Sequence, residues 1–269
     1  MELLKVNTRS QRVVVAPMGD IQWSGKNGPT AQEHVKRHIE YAMKYDAWFI
    51  GLGDYIDFLS PSNRQRLTAA ALYDTANEVV NEKARELTEE VYDKLLKPTT
   101  GRWLGLLEGH HFYQGNGETS DQWLAEMLKA PFLGTSAYVK LEPSGVVICA
   151  HHGLGGGVLP AAPINKLYHW SAGMHGADIY LTGHCTKLGV SRLSRPTPNW
   201  DKEFPDLTHS DVFLVSTGGF SKSNIVRHRA GRIPRGDYAE QGMMTPSPLA
   251  APLIFIDGKG GDNRIRVQV

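Results

Sequence analysis

The chain has 269 residues, of which 41% are apolar and 21% charged, with a formal net charge of +1. That length holds one large domain or two small ones with a real core, and the near-neutral balance excludes a global attraction to nucleic acid or acidic membrane while leaving room for a local basic patch. Two cysteines, Cys149 and Cys185, exclude a disulfide framework.

The segment Met1–Asn7 lacks the apolar core of a signal peptide, and no run approaches the ~20 apolar residues of a membrane helix. The expectation is a soluble, cytoplasmic protein (host cytoplasm if phage-encoded) with no membrane partner. Residues 12–17 read as a buried β-branched strand. Thr30, with Glu33 three residues on, has capping-box spacing. Val35, Ile39, Ala42 and Met43 then recur at helical intervals. Ala47-Trp48-Phe49-Ile50 forms the next strand, and a strand–helix–strand unit implies a sheet that is at least partly parallel. After a loop at residues 60–63, a helix-forming stretch runs from about Arg66 to Lys97, where Pro98 stops it.

Leu106-Leu107 leads into a turn, a helix is expected around Asp121–Lys129, and Tyr138–Leu141 and Val146–Ala150 read as strands. Ile179-Tyr180-Leu181 follows. Residues 188–205 read as an irregular, proline-bearing loop. The strands at Val212–Val215, Leu253–Ile256 and Ile265–Val267 have few helices between them, so antiparallel pairing is expected there. With no repeat and no clear linker, residues 1–269 read as a single domain.

Five polar clusters stand where apolar runs end: Met18-Gly19-Asp20-Ile21-Gln22, Gly53-Asp54-Tyr55-Ile56-Asp57, Glu108-Gly109-His110-His111, His151-His152-Gly153 and Gly183-His184-Cys185-Thr186. Strand ends are where open α/β sheets hold their ligands. A Gly-Asp pair alone often does no more than turn the chain, but five ordered clusters carrying carboxylate oxygen and imidazole nitrogen suit a divalent transition metal. Metal-assisted hydrolysis is the chemistry this pattern indicates.

The ordered set resembles the calcineurin-like metallophosphoesterases, whose signature runs D-x-H, G-D-x-x-D, G-N-H-[DE], H and G-H-x-H, and is similar to uncharacterised bacteriophage phosphoesterases. Gly53-Asp54-Tyr55-Ile56-Asp57 fits the second motif fully, and Gly183-His184 begins the last. The resemblance spans about Asp20 to Thr186. It implies an α/β fold, a layered α-β-β-α sandwich of mixed sheets with flanking helices. It also implies metal positions at Asp20, Gln22, Asp54, His110, His151 or His152, His184 and Thr186. Three of these depart from the signature: Gln22 and Thr186 replace histidines, and His110 replaces the asparagine.

The implied centre is therefore asymmetric, with Mn2+ or Zn2+ held tightly by Asp54, His110, His151 or His152, and His184. A second site at Asp20 and Asp54 is weak or absent. The family pattern favours His151, the first histidine beyond the strand. Adjacent strand residues face opposite ways, so both are not expected on one metal.

By the same resemblance His111 is the general acid that protonates the leaving oxygen, and Asp57 orients a ligand histidine or the turn. The implied activity is phosphodiester hydrolysis by metal-activated hydroxide, on nucleic acid or nucleotide, so a nuclease is one branch. The alternative is a non-catalytic, metal-stabilised binding module derived from a phosphoesterase. A structural zinc site is disfavoured because such sites are cysteine-rich. Asn63 and Arg64 are candidate phosphate contacts, and Arg227, Arg229, Arg232 and Arg235 with Lys222 are a basic stretch or a solvated loop. Trp23 and Tyr55 are candidates for stacking or for packing. Residues 153–157 lack the end of a P-loop, and Cys185 reads as a small buried residue beside His184.

Overall fold

The β-branched run at the front of the chain becomes β2 (Arg12–Met18) in the computed structural model. The structure describes residues 1–26, 28–58, 65–66, 74–115, 117–155, 157, 159–201, 203–224, 240, 243–258 and 264–269. α1 (Gln32–Met43) buries Val35, Ile39 and Ala42 along one stripe, and it returns the chain to β3 (Trp48–Gly51), which lies parallel to β2. β4 (Trp103–Leu106) adds in parallel to β3. On the other side of β2, β12 (Leu253–Asp257) and β13 (Ile265–Gln268) pair antiparallel, completing a five-stranded sheet in the order β13-β12-β2-β3-β4.

A six-stranded sheet has β1 (Glu2–Asn7) at one edge. It continues through β7 (Ser136–Glu142), β8 (Val147–His151), β9 (Ile179–Thr182) and β11 (Asp206–Thr217) to β10 (Leu188–Asn199). β1–β7, β8–β9 and β9–β11 are parallel, and β7–β8 and β10–β11 are antiparallel. The described residues also form α2 (Asp74–Val91), α3 (Ser120–Met127), α4 (Ala162–Gly173) and a two-stranded ribbon of β5 (Gln114–Gly115) and β6 (Glu118–Thr119). No helix among them is long and apolar enough to cross a membrane.

Alternation along the strands divides the core. Val15, Ile50 and Leu104 of one sheet share a buried cluster with Val139, Ile148, Ile179 and Val215 of the other. Their neighbours Ala16, Phe49 and Trp103 belong instead to a cluster with Val35 and Ile39 of α1, Leu87 and Val91 of α2, and Leu124 of α3. Cys149, Tyr180 and Leu214 pack with Leu167 of α4. Successive strand residues point to opposite faces, so each central strand feeds two of these clusters.

Three expectations change, and one strand has no counterpart in the sequence reading. Residues 188–199 form a strand: Pro196 and Pro198 lie on β10, an edge strand, the place in a sheet where proline is tolerated. Glu2–Asn7, which carries no strong apolar run, is also an edge strand. Pro98 does not end the long helix abruptly: α2 continues as a π turn at Tyr92–Leu96 and a 3-10 turn at Lys97–Thr99. Thr30 does not cap α1, which starts after Ala31 with no side-chain cap; its hydroxyl lies 2.9 Å from both the Ile21 and Gln22 carbonyls.

Candidate metal centre

The polar clusters leave the ends of β2, β3, β4, β8 and β9, and backbone hydrogen bonds stitch the loops together. Asp20 N donates to Gly53 O (3.0 Å), Gln22 N to Asp54 O (2.9 Å) and Gly183 N to His152 O (2.9 Å). Asp20, Gln22, Asp54, His184 and Thr186 all have positive φ, between 49° and 64°. Such backbone is uncommon without glycine and concentrates at functional sites. Two glycines permit the closest approach. A Cβ on Gly53 would stand 2.5 Å from Gly109 Cα, and one on Gly109 would overlap the backbone nitrogen and carboxylate of Asp54.

Three imidazoles meet at this junction. His110, His152 and His184 each offer a nitrogen, and the three atoms lie within 4.8 Å of one another. His110 Nδ1 is 3.1 Å from His184 Nδ1. His151, which the family pattern favours, stands outside this group: its Nδ1 accepts the Gly153 N–H at 2.7 Å, and its ring packs edge-on to Trp170. His151 is the last residue of β8, and His152, just beyond it, is the buried one of the pair at 1% exposure.

The carboxylates surround this group. Asp54 is 2% exposed. Its Oδ1 accepts from His110 N (2.5 Å) and His111 N (3.0 Å), and its Oδ2 lies 3.4 Å from His152 Nε2. Burial alone would raise the Asp54 carboxyl, but His152, His111 and the His110 amide outweigh it and hold the group below the usual carboxylate range. Asp20 is fully buried, and its Oδ2 accepts from His184 N at 2.8 Å. There burial prevails over the pull of His152, and the carboxyl rises to about 7.

Burial and the neighbouring His152 and His110 push His184 down to about 4. Burial also pulls His152 down, but Asp54, Asp20 and the Leu52 carbonyl together carry it up to about 9.

These residues fit a divalent cation. Asp20 Oδ1 and His152 Nε2 are buried with no hydrogen-bond partner. Orphaned buried polar atoms are costly unless something satisfies them, and a cation is a partner both accept. The donor set of imidazole nitrogen and carboxylate oxygen suits zinc- or manganese-like ions.

Beside the group, His111 Nδ1 lies 2.8 Å from Asp57 Oδ1. That bond to Asp57 raises the His111 pKa, against the opposing effect of burial. Gln22 N donates to the Asp54 carbonyl, and Thr186 Oγ1 meets Ser247 Oγ at 3.4 Å. Asn63, Arg64, Arg227, Arg229, Arg232 and Arg235 lie outside the described residues.

Trp23 is fully buried with its Nε1 donating to Glu90, and Tyr55 is fully buried with its hydroxyl donating to Leu107 O, so both are packed rather than offered for stacking. In the glycine-rich stretch the carbonyls of Leu154 and Gly155 hold the Lys166 ammonium. Cys185 is half-buried, and its thiol points to Gly155 O.

Two contributors had no distinct signal in the sequence. Thr30 ties down the Asp20–Gln22 loop through the Ile21 and Gln22 carbonyls, and Asp121, 2% exposed, accepts the Gly109 N–H at 2.9 Å. The sequence around Asp121 marks a helix start and nothing more. Burial lifts the Asp121 carboxyl to about 7, against the pull of that amide.

No protein-family model matches the chain, and no curated protein matches it. Among solved structures, one described as a novel archaeal phosphodiesterase aligns over 95% of this chain and 98% of its own, at 10% identity and a TM-score of 0.37.

Proposed function

We propose that this chain is a metal-dependent hydrolase of phosphate esters, a phosphodiesterase acting on nucleic acid or nucleotide, and that residues 1–269 form one calcineurin-like domain. The shared core between the sheets, with helices packed on the other face of each, supports reading the layers as an α-β-β-α sandwich. The observation that carries the function is the convergence of His110, His152 and His184 on one point beside the Asp54 carboxylate.

In this reading Asp54, His110, His152 and His184 hold the tight cation, and Asp20 with Asp54 supplies the weaker second site. A bound divalent ion would supply hydroxide near neutral pH and neutralise charge on the phosphoryl oxygens. The remaining chemistry belongs to the chain. Asp57 favours the protonated form of His111 and fixes its ring through Nδ1, leaving Nε2 to donate a proton to the leaving oxygen. The alcohol released from a diester is a poor leaving group, and a positioned acid of this kind is worth roughly 10²–10⁴-fold. A binding module stabilised by metal has no use for such a hydrogen-bonded acid, which favours the enzyme.

The test is hydrolysis of bis-p-nitrophenyl phosphate by chelator-stripped protein before and after Mn2+ or Zn2+ is added. Turnover that returns with metal and is lost in His110→Ala supports the proposal. No turnover with either metal sinks it.

A further inference from the structure

The loop that carries His110 and His111 is gripped at both ends by one turn of helix. At its start, Asp121 Oδ2 accepts the Gly109 N–H at 2.9 Å. At its end, Ser120 N donates to Tyr113 O (2.9 Å), and Ser120 Oγ accepts the Tyr113 N–H (3.1 Å). Ser120 Oγ also lies 3.4 Å from Asp121 Oδ1, so the two grips are connected. Both residues are buried, Ser120 at 1% and Asp121 at 2% exposure.

The gripping turn is itself fixed. Thr119 caps α3 by accepting from Gln122 N (3.3 Å), while Gln122 Oε1 accepts the Thr119 N–H (2.7 Å). This reciprocal box satisfies two otherwise orphaned donors and makes the first turn rigid. Two carboxylates then share three successive amides. Gly109 N–H goes to Asp121, and those of His110 and His111 go to Asp54. Without Asp121, the Gly109 amide is left buried and unpaired next to Asp54, free to swing toward it and carry the imidazoles along.

We propose that Ser120 and Asp121 are positioning residues, a clasp that sets the placement of His110 toward the cation and of His111 toward the leaving oxygen. The inference rests on the hydrolase reading above. Neither residue touches substrate; both act through the backbone of the loop.

The test compares full-length Asp121→Ala and Asp121→Asn with wild type. Asparagine keeps an oxygen that can accept from Gly109, and alanine does not. Three quantities are read: Mn2+ affinity by calorimetry, kcat and KM on bis-p-nitrophenyl phosphate, and the ratio of that turnover to turnover of diphenyl phosphate, whose phenol leaves less readily.

In Asp121→Ala, kcat falls by about 10²-fold, the scale of a small misplacement of catalytic groups, with KM little changed. Mn2+ binding weakens about tenfold, as when a ligand's support is lost. The leaving-group ratio rises as His111 goes out of line, and Asp121→Asn recovers most of each quantity. A folded Asp121→Ala with wild-type affinity and leaving-group ratio overturns the clasp, as does Asp121→Asn failing as badly as alanine. If Asp121→Ala does not fold, Ser120→Ala takes its place: weakened affinity and a raised ratio support the clasp, and wild-type values overturn it. A wild-type chain without metal-dependent turnover defeats the hydrolase reading instead, which separates the two failures.

Discussion

His152 Nδ1 lies 2.5 Å from the carbonyl oxygen of Leu52, and a carbonyl only accepts, so this nitrogen carries the proton. Nε2 is thereby left as the free donor atom, facing Asp54 and without a hydrogen bond. Fixing a ligand histidine through its other ring nitrogen is how proteins orient metal sites. His152→Ala is therefore expected to weaken Mn2+ or Zn2+ binding by more than roughly 100-fold, the upper end of what losing a supporting contact costs. His151→Ala, which removes a ring packed on Trp170, leaves affinity near wild type. Calorimetric titration of both variants decides the assignment, and the reverse order would return the ligand role to His151.

The His111–Asp57 pair makes a separate claim about proton transfer. Asp57 holds His111 above its ordinary pKa, so the acid form persists to higher pH than it would alone. Asp57→Asn removes that support and moves the alkaline limb of the kcat profile to lower pH. His111→Ala keeps metal binding while slowing substrates with poor leaving groups by about 10²–10⁴-fold and those with good leaving groups far less. Equal slowing across a leaving-group series would remove His111 from the acid role.

How much of this was legible in the chain depended on burial. β2, β3, β8 and β9 are central strands covered on both sides, so their sequences are unbroken apolar runs. The edge strands β1 and β10 face solvent and accept charged and proline residues, which hides them from pattern reading. Thr30 looked like a cap because its spacing to Glu33 is local, yet its partners are carbonyls eight and nine residues back. Asp121 acts on Gly109, which no local rule connects to it. Which of two adjacent histidines turns inward depends on strand phase at β8, and a shift of one residue reverses it.

Gly109 is held small by its neighbour rather than by its backbone angles. A Cβ there would collide with Asp54, whose carboxylate collects the two amides that follow. Gly109→Ala is expected to cost about 1–3 kcal/mol or more, as overpacking does, and to weaken metal binding by displacing Asp54. At Gly173, the end of α4, an added Cβ would meet nothing within 4 Å. Gly173→Ala is the matched control and should be neutral or stabilising by about 0.4–1 kcal/mol. Thermal melts of the two variants check this, and equal melting temperatures would show that Asp54 yields freely.

Metal removal should make stability fall more steeply as pH rises. In the metal-free chain Asp20 and Asp121 rise to about 7, so the fold keeps protons that the unfolded chain releases near pH 4, and stability falls as pH climbs between those values. His152, raised to about 9, adds stability that is complete below its unfolded value near 6.5 and is lost as pH climbs through 9. Asp54 and His184, both held low, work in the opposite direction, but their gains are largely finished once pH passes about 6.5. The chelated protein should thus melt at a lower temperature at about pH 9 than at about pH 6, at roughly 2–4 °C per kcal/mol lost. With metal present, His152 must shed its proton to bind, so affinity climbs by about one log unit per pH unit below its pKa. In loaded protein that gain offsets the His152 loss, so stability stays nearly level between about pH 7 and 9 while that of stripped protein falls. Calorimetric scans should show a falling trend with chelator and a nearly level one with Mn2+, and parallel slopes would mean that His152 does not give up a proton to the ion.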